Sequence, residues 1–515
     1  MSDQMYQLIA IIIYMLVLLW IGWYSFKKTS NLTDYMLGGR SLGPAVTALS
    51  AGAADMSGWL LMGLPGAIYL FGFGELWIAI GLTTGAYLNW MFVAPRLRTY
   101  TEVNDSITVP SFLENRLKDS SRILRVVSGI VILVFFTFYV SSGMVAGGKF
   151  FESSFGLDYH KGLVLVSVVV IAYTLFGGFL AVSYTDFVQG LIMFFALILV
   201  PIIGVFTLGG FGELKEIILS LNPNHFSLVN GVAEGSPLAE YLTSIDKMKA
   251  LTLAGVISSV AWGLGYFGQP HIIVRFMAIE SIKETKNARR IGIGWMILSL
   301  LGASATAIVG LAHYAKNGGD IGAIDPETVF ITMGQVLFHP LIAGIVLAAV
   351  LAAVMSTISS QLIVTSSALV EDLYKAVLKS DKDDKHYVFL GRMAVLLVSV
   401  VAMALAWPNS ESILSLVAFA WAGFGGAFGP IILLSLYWRK ITAKGAIAGM
   451  LVGAITAFTW GSIDSLSGML YEIVPAFILN LLVTVIVSNM TYKKNPEIEK
   501  EFDASLELLE RSRNE

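Results

Sequence analysis

Asp55 lies inside the apolar run 43 to 72, within Gly52-Ala53-Ala54-Asp55-Met56-Ser57-Gly58, and it is the only carboxylate that hydropathy places at mid-membrane depth. An ionised side chain there costs at least about 2.5 to 3.5 kcal/mol on insertion scales. It therefore needs a role, either in a path for an ion or ligand or as the cap of a half-helix restarting beyond Ser57. A second polar group stands in the run 334 to 372, within Ala352 to Ser360. Ala353, Ser356 and Thr357 are spaced i, i+3 and i+4, which puts them on one helix face. A desolvated hard monovalent cation is satisfied by oxygen dipoles, and two hydroxyls with freed backbone carbonyls supply them. The same hydroxyls can instead bond to the preceding turn or join neighbouring helices.

The elements that position these groups are membrane helices. The chain has 515 residues, 56% hydrophobic and 13% charged, with no cysteine and a formal net charge of −3. A soluble domain carries about 25% charge, so an ordinary cytosolic enzyme, a disordered chain and a disulfide scaffold are excluded. The acidic balance argues against nucleic-acid binding, and the six histidines lack metal-ligand spacing. Runs of about 20 apolar residues occur thirteen times: 6 to 26, 43 to 72, 75 to 94, 123 to 148, 162 to 182, 185 to 207, 250 to 274, 291 to 314, 334 to 372, 387 to 407, 410 to 437, 445 to 462 and 469 to 489. The first has no basic leader and no A-x-A site after it, and it reads as a span rather than a signal peptide.

Cytoplasmic loops retain Lys and Arg, so basic residues test the count. With thirteen spans and an outside N-terminus, 27 of the 33 fall inside. Only Lys149, Lys161, Lys215, Lys247, Lys249 and Lys316 fall outside. The expected topology is an outside N-terminus and a cytoplasmic C-terminus in a multi-pass cell membrane protein. The outside stretch 208–249, with Glu213, Glu216, Glu234, Glu240 and Asp246, reads as a partly structured loop. The charged tail 490–515 reads as a solvated, faintly helical segment.

Backbone that leaves helical geometry at membrane depth must be buried or line a cavity. Gly52 to Gly58 interrupts the second span, and Trp262-Gly263-Leu264-Gly265-Tyr266-Phe267-Gly268-Gln269-Pro270 interrupts the seventh. Breaks in two separated helices point to a transporter built from structural repeats around a midplane site. Spans two to six and seven to eleven are five each, an odd number, so the second set inserts inverted relative to the first. The expected organisation is an extra helix and loop at 1–42, repeats at 43–207 and 250–437 flanking the outside loop, two further helices at 438–489, and the tail. The sequence contains no H-E-x-x-H, G-x-S-x-G or P-loop, and it reads as a carrier rather than a membrane enzyme.

Leu37-Gly38-Gly39-Arg40-Ser41-Leu42-Gly43-Pro44, Ala51 to Gly63, Gly177 to Asp186, Trp262 to His271 and Ala352 to Ser360 resemble the sodium/solute symporter family. Asp55 to Gly63 and Gly265 to His271 are similar to its bacterial sodium/proline branch, and the resemblance covers essentially the whole chain, except that the loop at 220 to 245 looks longer than in enterobacterial carriers. It implies sodium-coupled uptake of L-proline without a cofactor. It implies a sodium site from the carbonyls of Ala53, Met56 and Ala353 with the hydroxyls of Ser356 and Thr357. Asp55 and Ser57 are implied to support sodium-dependent binding, Arg40 to lie on the cytoplasmic side of the pathway, and Asp186 to serve coupling. For the substrate it points to Tyr139, Trp262 and Tyr266. The last two are i and i+4 and so share a face of an α-helix, where rings can cover the apolar ring of proline, and N–H groups at a broken helix start can hold its carboxylate. Aromatics in such helices also serve as packing or interface belts. Another amino acid, pantothenate or a sugar stands as the alternative solute.

Overall fold

Apolar runs become helices in a bilayer because a helix satisfies every backbone N–H and C=O within one segment. The computed structural model describes residues 2–27, 32–245, 247, 250–317, 321–375, 383–408 and 412–514. Among them there is no strand, and a single parallel bridge joins Leu42 to Ile279. Lys28, Asp246, Lys249, Lys379 and Lys382, counted in the loop charges above, lie outside the described residues.

Helix α1 (Asp3–Phe26) precedes two sets of five crossings. The first set opens with α2 (Pro44–Asp55), which stops at Met56 and resumes through a wide turn, Trp59–Gly63, into α3 (Leu64–Phe71). Its other members are α4 (Leu76–Leu88), α7 (Ile123–Phe155) and the two arms of α8 (Tyr159–Thr207). Between α4 and α7 come α5 (Ala94–Val103) and α6 (Val109–Leu117). The long outside loop contains α9 (Phe211–Leu221) and α10 (Pro237–Ser244), in keeping with the partly structured loop expected. The second set opens with α11 (Leu253–Val260), a 3-10 segment over Ala261–Gly268, and α12 (Pro270–Ala278). It continues with α13 (Glu284–Lys316), α15 (Pro340–Ser367), α16 (Asp384–Ala406) and α17 (Ile413–Tyr437). Helices α18 (Ala443–Gly461), α19 (Ile473–Thr491) and α20 (Pro496–Asn514) complete the chain. The broken helix is therefore the first member of each set, as the positions of the two breaks require.

Among the described residues ten helical stretches are long and apolar enough to cross a membrane, one of them Trp59–Val103, which takes in α3, α4 and α5. This is roughly consistent with the thirteen crossings expected, since each broken helix is in pieces and Tyr159–Leu175 is a shorter apolar arm of α8. The run 334 to 372 divides at His339-Pro340, which separates α14 (Val329–Leu337) from α15. The junction expected at 183 and 184 lies instead at Gly178, where φ is 60° and ψ is −153°. A Cβ there would approach the Tyr35 ring to 2.6 Å, so the bend admits only glycine.

Ion pairs sort the loops into two faces. Lys149 pairs with Glu327 at 2.8 Å and Lys316 with Glu213 at 2.6 Å, all four expected outside. Lys118 pairs with Glu501, and Arg439 with Asp503 at 2.6 Å, all four expected inside. The tail departs from the solvated segment expected of it. Phe502 and Leu509 on α20 are buried, and the Arg116 guanidinium sits 5.1 Å from the Phe502 ring. The heptad-like spacing of these two apolar residues lets a mostly charged helix bury one narrow stripe.

Candidate functional site

At the end of α2, Met56 leaves helical geometry with φ −77° and ψ 72°, and Ser57 N–H turns back to the Asp55 carbonyl at 2.8 Å. Trp59 locks this break by donating its indole N–H to the same carbonyl at 3.1 Å. Helix α15 packs against it. Ser356 Oγ donates to the Ala53 carbonyl at 2.7 Å, and it lies 3.2 Å from the Ala353 carbonyl. Thr357 Oγ1 is 3.1 Å from the Ala353 carbonyl and 3.4 Å from that of Ala53. Four oxygens from two helices thus converge in a buried place, and Met56 stands at the break beside them, fully buried. The set is all hard oxygen, which suits a small monovalent cation. The last carbonyls of α2 add the negative end of a helix dipole.

Asp55 is buried to 3% exposure and accepts a hydrogen bond through Oδ2 from the Tyr266 hydroxyl, which joins the two broken helices directly. Among the described residues its Oδ1 has no hydrogen-bond partner, nor has Gln269 Oε1. The Tyr139 hydroxyl faces Ser57, and the Tyr139 and His271 ring centroids are 5.8 Å apart. Buried polar atoms are nearly always partnered, so Asp55 Oδ1 and Gln269 Oε1, one at each helix break, are acceptors open to a polar ligand. A cavity of about 20 Å³ touches Asp55, Met56 and Tyr266. That is room for one water molecule, so a larger ligand needs these side chains to move apart.

Trp262 and Tyr266 do not form the single face expected of an α-helix. They lie in the 3-10 segment, where residues three apart, not four, eclipse. Tyr266 turns to Asp55, whereas Trp262 stacks on Trp421 at 6.4 Å and Tyr471 at 5.4 Å, with Trp59 at 6.5 Å. Trp421 rejoins the two, meeting the Tyr266 ring edge-on at 5.1 Å and donating its indole N–H to the Trp262 carbonyl at 2.7 Å.

Asp186 lies apart from this cluster and is also fully buried, so Asp55 is not the only carboxylate in the interior. Asp186 Oδ2 accepts from Ser50 Oγ at 2.8 Å, Ser360 Oγ at 3.2 Å and Arg275 Nη2 at 3.1 Å. Arg275 was counted among the basic residues of an inside loop, but its exposure is 0%, because α12 carries the apolar run inward past the expected boundary at 274. Arg40, in left-handed geometry at φ 55°, donates to the carbonyls of Met277 at 2.9 Å, Thr101 at 2.9 Å and Ser106 at 2.7 Å. It fastens the chain before α2 to the end of α12 and the α5–α6 loop.

Sequence reasoning named Asp55, Tyr266, Tyr139, Ala353, Ser356 and Thr357, and these come together. It missed the roles of Trp421, Gln269, Arg275 and Tyr471. The Gly-Gln-Pro-His spacing carried a local signal for Gln269 and His271, whereas Trp421 carried none, being an aromatic in an apolar helix.

Residues 35–453 match the Sodium:solute symporter family. The chain is 58% identical over 487 residues to the high-affinity proline transporter PutP of Bacillus subtilis, covering 94% of this chain and 98% of that protein. It is 50% identical over 508 residues to the osmoregulated proline transporter OpuE of the same organism, with 98% and 99% covered. It is also 50% identical to a sodium/proline symporter of Staphylococcus aureus, with 97% and 96% covered. Among solved structures, a Na+-coupled sialic acid symporter in a substrate-bound outward-open state aligns over 95% of this chain and 99% of its own, with TM-score 0.76 at 19% identity. MhsT in complex with L-phenylalanine aligns over 88% and 98%, with TM-score 0.51 at 15% identity.

Proposed function

The chain belongs to the sodium:solute symporter family, and from that premise we propose that it takes up L-proline with sodium by alternating access across a bacterial plasma membrane. The observation that carries the site assignment is the convergence of the Ala53 and Ala353 carbonyls with Ser356 Oγ and Thr357 Oγ1, one helix break away from the Asp55–Tyr266 pair. Sodium binds there, with Met56 contributing its carbonyl. On binding, the two hydroxyls turn their protons away from the carbonyls and offer lone pairs, which ties the broken helix to α15. Asp55 and Ser57 then hold the break in the shape that receives substrate.

The proline carboxylate meets N–H groups at a half-helix start, where the helix dipole is positive. Its ring lies among Tyr139, Trp262 and Tyr266. The face bearing most of the basic residues is cytoplasmic, with the N-terminus outside, following the Lys and Arg bias. On that face Arg40 and the Asp186–Arg275 pair close the inner end of the path and separate when the repeats rock. The repeats occupy 43–207 and 250–437.

One sodium moving down 100 mV supplies about 2.3 kcal/mol, and a tenfold gradient about 1.4 kcal/mol more. Together these support accumulation of a few hundredfold. Because proline is a zwitterion, each cycle carries net positive charge. Proteoliposomes holding the purified chain should concentrate labelled proline on imposing a sodium gradient and should produce a current. Uptake indifferent to sodium, or competed equally by pantothenate or sugars, would overturn the assignment.

A further inference from the structure

On the face that carries the basic loops, a cavity of about 620 Å³ opens where α13 begins, bounded by the turn Asn89–Val93, the end of α17 and helix α20. Arg96, Lys283, Lys286 and Arg289 line it, and no acidic side chain among the described residues does. Arg96 lies over the Tyr437 ring at 3.9 Å and donates one N–H to the Leu436 carbonyl at 2.9 Å. Arg289 lies over the Tyr87 ring at 5.4 Å. Among the described residues, Arg96, Lys286 and Arg289 have no carboxylate partner. Cations gathered around one cavity repel each other unless an anion joins them, and guanidinium and ammonium groups together recognise phosphate.

The surroundings say which phosphate. Met91 and Phe92 at the rim are each 41% exposed, so the cavity opens onto apolar surface rather than only onto water. A second cavity, about 340 Å³, lies between Ile80 and Thr83 of α4 and Ile297 and Leu301 of α13, with Leu228 of the outside loop also in its wall. Arg289 and Leu301 are separated by about 18 Å of helix rise, and one leaflet of a ~30 Å hydrocarbon core is about 15 Å deep. A cationic cavity, at the start of α13 and the turn that follows α4, and an apolar groove between α4 and α13 thus lie about a leaflet apart. We infer that this is a binding site for an anionic phospholipid, with its phosphodiester among Arg96, Lys286 and Arg289 and one acyl chain in the groove between α4 and α13. Leu509 and Ser512 of α20 form part of the cavity wall, so the bound headgroup also touches the C-terminal helix.

The purified full chain in nonionic detergent is titrated with phosphatidylglycerol, phosphatidylcholine and inorganic phosphate, with bound lipid counted by native mass spectrometry. Phosphatidylglycerol should bind and phosphatidylcholine should not. Lys286→Gln with Arg289→Gln should weaken binding by about thirtyfold, at about 1 kcal/mol per basic residue. Arg96→Gln should weaken it from a different helix. Lys440→Gln with Lys444→Gln, on the same face but outside the cavity, should leave it unchanged. Equal binding of both lipids, or binding unchanged in all cavity variants, overturns the site. Displacement of phosphatidylglycerol by equimolar inorganic phosphate overturns the lipid and assigns the cavity to a free phosphate. The readout is binding alone, so its outcome is separate from whether proline is the solute.

Discussion

Thr357 lies on α15 and Trp262 in the 3-10 segment 261–268, and under the proposed function their substitution should separate cation from substrate. Thr357 Oγ1 touches the Ala53 and Ala353 carbonyls, so in the proposed sodium site Thr357→Ala removes an oxygen that only the cation would use. A hydrogen bond or ligand to a charged group is worth about 1.5 to 3 kcal/mol. The half-saturating sodium concentration for proline uptake should rise at least about tenfold, with proline half-saturation at saturating sodium little changed. Trp262→Phe should do the reverse, and equal effects of both changes on sodium activation would sink the division of roles. A third residue reports on the outside loop. Burial holds the His225 imidazole down at about 4, below its usual 6.5, against a smaller opposing effect of the Ile68 backbone. The folded loop thus binds fewer protons than the unfolded one, so its docking is fully stable above about pH 6.5 and weakens as pH falls towards 4. Hydrogen exchange across 222–236 should quicken, after correction for the intrinsic rate, between pH 7.5 and 5, and His225→Phe should abolish that dependence.

At the scale of elements, the Asp186–Arg275 pair joins α8 to α12 and recruits Ser50 of α2 and Ser360 of α15. Removing one partner of a buried pair leaves the other charge uncompensated, at about 3 to 5 kcal/mol. Asp186→Asn should therefore lower the unfolding midpoint strongly, and Asp186→Asn with Arg275→Met should recover most of the loss in the same thermal assay. Helix α4 meets the 3-10 segment backbone to backbone, since a Cβ at Gly85 would fall 2.5 Å from the Gly263 Cα. Gly85→Ala should force the seventh crossing outward and reduce proline binding without touching a ligand group. The ends of the thirteen crossings were legible to within several residues, because apolar length and Gly or Pro punctuation are local. The internal geometry of 261–268 was not. A 3.6-residue and a 3.0-residue turn share the same composition, and only packing against Gly81 and Gly85 selects the tighter one.

Over the whole molecule, the tail is an integral part of the basic face. Phe502 is 4% exposed, and it packs near Tyr100 at 6.2 Å. Burial of this ring outweighs the half-exposed Arg439–Asp503 pair, since surface pairs contribute about 0 to 1 kcal/mol. Phe502→Ala should thus undock α20, seen as faster hydrogen exchange in 94–117 and 496–512. Raising salt to 1 M, which shortens screening to about 3 Å, should leave α20 docked. If salt alone released the helix, charge and not the apolar stripe would be its anchor.

The amino-acid sequence by itself determined the crossings, the two breaks, the division of loops by charge and the scarcity of polar groups inside. A bilayer imposes each of these on short stretches of chain, through the length that spans it, the backbone it leaves unsatisfied and the charges it excludes. Tertiary structure alone decided that Arg275 turns inward to Asp186, 89 residues away, that Trp421 closes the aromatic stack from 159 residues away, and that the charged tail folds back onto Arg116. Such contacts join distant positions whose residue types are individually unremarked, and no local periodicity encodes which of them meet.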